Sequence, residues 1–270
     1  MENFCIVSVF HAIDRNIKGN VAAVLELDSE LDTNNCSQLA EEFNQPATSF
    51  IKKEKEGHYQ VRWFAPDAEI GLCGHGSLAI AAYLNEIKGE TKAVLHFNDG
   101  SIKVGFNGDQ YYMWMDPIEV IAHKTPPVGL AQALGSDIID YFTTYNKDIV
   151  LVASEEILAN LRPDFPALAQ LEPFGYSVTA PGQESDFVSR TFVPKVKQLE
   201  DQATGSSHAI LTPFWSERLM KSEMTAQQLS LRGGYFICEM HLNKVLLKGQ
   251  AKIWAKGNAS QTYELSSTLN

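Results

Sequence analysis

The stretch Arg62–Leu84, "RWFAPDAEIGLCGHGSLAIAAYL", carries the chain out of a strand and into a helix. "YQVRWFAP" has strand composition and stops at Pro66, which has no backbone N–H to give to a ladder. "GHGSLAIAAYLNEI" is Ala-rich and apolar, as a closely packed helix requires. Cys73, Gly74 and His75 stand where that helix begins. A helix start leaves its first amide N–H groups unpaired and carries the positive end of the dipole, so a thiol and an imidazole there are placed for chemistry.

A second stretch repeats the grammar. In "RTFVPKVKQLEDQATGSSHAILTPFW", Arg190, Phe192, Pro194, Glu200, Thr204 and Gly205 answer to Arg62, Phe64, Pro66, Glu69, Cys73 and Gly74. The Arg-x-Phe-x-Pro units lie 128 residues apart, whereas Glu69–Glu200 and Cys73–Thr204 lie 131 apart, so the second unit holds three extra residues. This is an internal repeat of two large strand–loop–helix units. It predicts two pseudo-symmetric α/β halves facing each other. We place the first at residues 1–118 and the second at 119–270, meeting near "DPIEVIAHKTPPVG", with the C-terminal strand free to return to the first half.

The rest of the chain fits this plan. "CIVSVF" and "VAAVLEL" read as strands, and "DTNNCSQLAEEFN" as a helix with cap candidates at Asp32, Thr33 and Asn34. "AVLHFNDGSIKVGFNGDQYYMWM" reads as a meander with Asp-Gly and Asn-Gly turns. "DIVLVAS" is a strand, and "SEEILANLRP" is a helix opened by Ser154 and stopped by Pro163. "LRGGYFICEMHLNKVLLKGQAKIWAKG" reads as strands joined by turns.

Composition narrows the partners. The chain has 270 residues, 44% apolar and 20% charged, with a net charge of -11, so it lacks the basic surplus that phosphate backbones or anionic membranes demand. Its apolar runs fall short of the ~20 residues a bilayer span needs. "MENFCIVSVFHAIDR" carries an acid at position 2 and no small-residue cleavage site, so no signal peptide is expected. Cys5, Cys36, Cys73 and Cys238 are too sparse for a disulfide scaffold, which points to a reducing cytoplasm. The histidines show no metal-ligand spacing, and neither a P-loop nor a G-x-G-x-x-G is present, so neither a metal nor a nucleotide cofactor is expected.

Two related helix starts facing one cleft make a pocket for an anion, most simply a carboxylate. Gly74 and Gly205 would let a ligand approach the backbone. Cys73 at such a position should have a lowered pKa, and His75 could exchange a proton near neutral pH. A general base could come from Glu200 or Asp201, ahead of the second helix start. Thr204 and Ser206 could bind the ligand, cap the helix, or both. The plain alternative is that Cys-Gly-His is structural and the acids are surface or capping groups.

These residues resemble the PhzF-like family of phenazine-biosynthesis-type isomerases, which share the diaminopimelate epimerase fold. The resemblance runs collinearly through "GNVAAVL", "AEEFNQPATSFI", "VRWFAPDAEIGLCGHGSLA", "LRPDFPAL", "DFVSRTFVP", "EDQATGSSHA" and "LSLRGGYF". It implies an α/β (α+β) protein of two similar halves, each a sheet wrapped around a central helix, commonly a homodimer, with a cofactor-free site between the halves. It implies that His75 and Asp201 act in proton transfer, with Cys73 a further candidate. It implies that Gly74, Thr204, Gly205 and Ser206 hold the substrate; we count Gly76, Ala47 and Thr48 with them. The departure is at "NQPATSF", Asn44 to Phe50, where the family's Asn-x-Ser-Glu-Thr-x-Phe puts a catalytic glutamate and this chain has Ala47. The fold's two-thiol epimerisation is also unavailable, since the paired positions are Cys73 and Thr204. The expected function is an isomerase-type proton transfer on a small carboxylate-bearing metabolite. The alternative is a non-catalytic binder on the same scaffold.

Overall fold

A computed structural model describes residues 2–28 and 32–259; the outer ends of the two expected halves, residue 1 and residues 260–270, lie outside the described residues. The first half of the chain runs β1 (Glu2–His11), β2 (Asn20–Glu26), α1 (Thr33–Phe43), β3 (Ala47–Lys55), β4 (His58–Ala65), β5 (Ala68–Ile70), α2 (Gly74–Lys88), β6 (Lys92–Phe97), β7 (Gly100–Phe106) and β8 (Tyr111–Met115). The second runs β9 (Ala122–Lys124), α3 (Leu130–Leu134), β10 (Asp140–Thr143), β11 (Asp148–Leu151), α4 (Glu155–Asn160), α5 (Phe165–Ala169), β12 (Tyr176–Pro181), β13 (Phe187–Val193), β14 (Leu199–Asp201), α6 (Gly205–Leu219), β15 (Glu223–Gln228), β16 (Gly234–His241) and β17 (Lys244–Ala259).

The same wiring occurs twice. β2 and β3 pair in parallel across α1, as β11 and β12 do across α4 and α5. β4 and β6 pair in parallel across α2, as β13 and β15 do across α6. The strands form one continuous hydrogen-bonded network, because β17 returns to pair with both β1 and β8. This is the sheet-dominated α/β architecture expected of the repeat.

Each repeated motif builds the same local device. Arg62 clasps Glu69 with Nε at 2.8 Å and Nη2 at 2.6 Å, and Arg190 clasps Glu200 with both nitrogens at 2.8 Å. Each guanidinium also lies over the phenylalanine two residues on, Arg62 at 5.0 Å from Phe64 and Arg190 at 4.9 Å from Phe192. The extra three residues sit in the turn. Ala65 pairs with Ala68 across the tighter one, and Val193 pairs with Leu199 across the longer one. The pairing thereby returns to register before Phe64–Glu69 and Phe192–Glu200.

Both central helices are 15 residues long. α2 is buried continuously from Gly74 to Leu84, with strands on every side, so its apolar residues need no single face. α6 continues through Pro213, since its neighbours hold it in place. The minor helices are capped as their sequences require. Asp32 accepts from the Asn35 amide at the start of α1, and Ser154 accepts from the Ile157 amide at the start of α4. Such caps are worth about 1 kcal/mol each. Among the described residues, no helix is long and apolar enough to cross a membrane.

Candidate functional site

The starts of α2 and α6 meet. A Cβ built on Gly74 would lie 2.9 Å from the Gly205 Cα, and one on Gly205 would lie 3.0 Å from the Gly74 Cα. The Met113 methyl fills the remaining space against both. The glycines therefore allow the close approach of one helix to the other. Gly76 likewise turns toward the protein: a Cβ there would lie 2.6 Å from Trp63 and 2.8 Å from the Ser49 hydroxyl.

Cys73 and Thr204 are the N-cap residues, with nearly equal backbones at φ -109°, ψ 103° and φ -116°, ψ 105°. Neither side chain caps its helix. Cys73 is buried, its sulfur 3.5 Å from His75 Nδ1. Burial pushes the thiol up to about 12, outweighing the neighbouring amides of Gly76 and His75 that pull it down. This overturns the expected lowered pKa. A helix start activates a thiol only where the thiolate is solvated or paired, and here the thiol is desolvated and the charge of Asp201 adds to the rise. Burial also holds His75 below its ordinary range, so the imidazole is neutral near pH 7.

Asp201 is the hub of the site. Its Oδ1 accepts from Asn20 Nδ2 at 2.8 Å and from the Gln202 amide at 2.8 Å, and its Oδ2 accepts from the Thr204 hydroxyl at 2.7 Å. Its charge reaches Cys73, His75 and Lys147. Thr204 gives its hydroxyl hydrogen to Asp201 and its amide to Gln228 at 2.8 Å, so it fixes the carboxylate rather than the helix end. Glu200 is removed from the candidates by its clasp with Arg190.

Ser206, half-buried in the first turn of α6, accepts a hydrogen bond from Lys147 Nζ at 2.8 Å. Ala47 and Thr48 are fully buried at the start of β3, and Ala47 belongs to the same core cluster as Cys73, Met113 and Ala203. Glu41 and Glu42 are exposed on α1, so neither replaces the missing glutamate.

Three residues of the site escape a reading by motif. Asn20 lies inside "GNVAAVL" and bridges from β2 to Asp201 across the chain. Gln228 donates to the Asp201 carbonyl at 2.6 Å and accepts from Thr204. Lys147 sits in a polar turn that carries no signal. The "LRGG" turn has a role as well: Arg232 donates to the Gly19 carbonyl at 2.7 Å, holding the Gly-Asn corner beside Asp201.

The chain as a whole matches a known group of proteins. A family model described as phenazine biosynthesis-like protein, PhzC-PhzF, covers residues 7–257. The chain belongs to the PhzF-like family. An uncharacterized isomerase of Pseudomonas aeruginosa is 39% identical over 253 residues, covering 92% of this chain and 97% of its own. A PhzF-family crystal structure from Enterococcus faecalis superposes with a TM-score of 0.89 at 35% identity, covering 96% of this chain and 99% of that one. A hydroxyproline epimerase from Agrobacterium vitis, solved with bound trans-4-hydroxy-L-proline, shares the fold at a TM-score of 0.60 and 11% identity, covering 95% of this chain and 91% of that one. PhzF-like membership makes this an isomerase-type protein on an epimerase-like fold.

Proposed function

We propose that this PhzF-like protein binds a small carboxylic acid beside the meeting point of the α2 and α6 starts and moves a proton on it without a cofactor. The observation that carries the reading is the contact of Gly74 with Gly205, which gathers two sets of helix-start amides, His75 and Asp201 at one point. His75 is the proton carrier, because a neutral imidazole can take a proton at one nitrogen and give one at the other. Asp201, oriented by Asn20, Gln202 and Thr204, stabilises the imidazolium formed in passing. Cys73 drops out as a thiolate base. Gly74, Gly76, Thr204, Gly205, Ser206, Ala47 and Thr48 frame the ligand through backbone and shape. A cytoplasmic homodimer belongs to this reading on family resemblance.

Ala47 favours a second reading, a binder that performs no proton transfer. General acid–base groups are worth roughly 10²–10⁴-fold in rate, and an alanine supplies none of it. The test is a thermal-shift screen of small amino, hydroxy and aromatic acids, followed by solvent-deuterium incorporation into each hit. Exchange that is lost in His75→Asn supports the isomerase. Binding without exchange in the natural protein establishes the binder instead.

A further inference from the structure

Lys147 takes no part in that proton transfer, yet it is an unusual side chain to find at the site. It precedes β11 and is 6% exposed. Its Nζ donates to Ser206 Oγ at 2.8 Å and to Asn146 Oδ1 at 2.6 Å, both neutral acceptors. Its stem is packed, with Gly175 so close that a Cβ there would lie 3.5 Å from Lys147 Cγ. Among the described residues it forms no ion pair.

The charges around it are already committed. Asp201 reaches it through space but spends its oxygens on Asn20, Gln202 and Thr204. Asp148, next in the chain, accepts from the Tyr141 hydroxyl and the Thr144 amide. Burial pushes the Tyr141 and Tyr176 hydroxyls up and keeps them neutral, and it keeps His75 neutral too. A buried ammonium without a counter-ion is costly, and burial accordingly brings Lys147 down to about 8. The first turn of α6, where Ser206 lies, adds the positive end of a helix dipole. Positive field on positive charge is relieved by an anion placed against both.

We propose that Lys147, acting with Ser206, selects an acidic ligand by pairing its ammonium with the ligand's carboxylate at the start of α6. This rests on the reading of the site as carboxylate-binding and names the group that enforces it. Ser206 accepts from Lys147 and so keeps its own hydrogen for the ligand. Pairing restores the proton affinity of the amine, so binding above pH 8 takes up protons. The ligand class is a small organic acid; neutral amides and alcohols of the same shape are refused.

The test uses the full chain and the variants Lys147→Met and Lys147→Arg. Without any ligand, urea midpoints are measured between pH 6.5 and 9.5. The unfolded lysine keeps its proton through this range while the folded one loses it, so the wild type gains stability relative to Lys147→Met as pH rises through 8. Benzoate and malonate are then added against sodium chloride of equal ionic strength, with benzamide as the neutral control. The wild type binds an acid but not benzamide, Lys147→Met binds it at least tenfold more weakly, and Lys147→Arg retains part of the affinity. Calorimetry of the wild type at pH 8.5 in two buffers of different ionisation enthalpy shows proton uptake. Identical pH courses for wild type and Lys147→Met overturn the proposal, as does binding without proton uptake. Equal binding of the acids by both proteins also overturns it while leaving the carboxylate site standing. If neither protein binds any of the acids, the carboxylate reading falls and this inference falls with it.

Discussion

Gly74 and Gly205 are in contact: a Cβ on either would lie within 3.0 Å of the other's Cα. One residue comes from each of the two repeated units, so the contact is where the repeat becomes a site. The other groups of the site lie in the first turns that these glycines begin, on neighbouring strands, or, for Lys147, in the turn before β11.

Replacing either glycine with alanine tests that relationship. The added methyl meets backbone on one side and the Met113 methyl at 3.1 Å or 2.8 Å on the other. Met113 can shift, but the facing helix cannot without moving its strands. We expect Gly74→Ala and Gly205→Ala each to cost about 1–3 kcal/mol by urea unfolding, the usual range for overpacking. A pair of variants at wild-type stability would show that the helices stand further apart in solution.

Cys73 should be an unreactive thiol. With burial holding it up to about 12, its iodoacetamide labelling at pH 7, followed by mass spectrometry, should be far slower than in the urea-unfolded chain. Rapid labelling of Cys73 in the folded protein would restore it as a catalytic candidate.

His208 should make the protein sensitive to acid. It is fully buried, stacked at 3.6 Å on Phe236, with Nδ1 bonded to the Thr204 carbonyl at 2.8 Å and Nε2 without a partner among the described residues. Burial brings it to about 4, below its ordinary 6.5. The folded state therefore binds the proton less readily than the unfolded one, and stability present above pH 6.5 is lost as pH falls toward 4. At 1.36 kcal/mol per unit the loss is about 3 kcal/mol. His208→Phe, which keeps the aromatic stack, should flatten the urea midpoint between pH 7 and 4.5. An unchanged slope would place the acid sensitivity elsewhere.

The two clasps should differ in worth. Arg190 is the more enclosed, and it also donates to the Leu158 and Leu161 carbonyls at the end of α4. Arg190→Met leaves Glu200 and those carbonyls short of donors, at a cost of about 3 kcal/mol. Arg62→Met, with a more exposed Glu69, should cost about 1 kcal/mol. Equal losses in urea unfolding would mean that burial does not set their strength.

Placing Glu at position 47 separates lost chemistry from lost shape. Ala47 is fully buried in the core that contains Cys73 and Met113. An unpaired carboxylate there costs at least about 3 kcal/mol. A stable Ala47→Glu protein that gains deuterium exchange would show that a carboxylate at this position was all the site lacked for proton transfer. Unfolding of the variant would show that the surrounding core has closed over the position.

Some of this was legible in the residues alone. The two Arg-x-Phe-x-Pro units, with their carboxylates and Gly-containing helix starts, gave the α/β class and the strand–loop–helix unit that occurs twice, because strand, turn and helix signals are local; strands such as β3 and β12 and the short helices α3 and α5 carried no signal of that kind. The three-residue insertion was legible as a number; the structure locates it in the Val193–Leu199 turn. His75 and Asp201 were legible because they lie inside those motifs. What the tertiary structure decided is everything that depends on what lies opposite. Burial reversed the sign of the Cys73 shift, because desolvation depends on surrounding atoms and not on sequence neighbours. The Arg190 clasp took Glu200 out of the site and left Asp201 in it, although the two are adjacent in sequence. Lys147, 59 residues from Ser206, met it only when the turn before β11 was brought to the start of α6. A polar turn carries no record of which helix start it will face, and that record exists only in the packed fold.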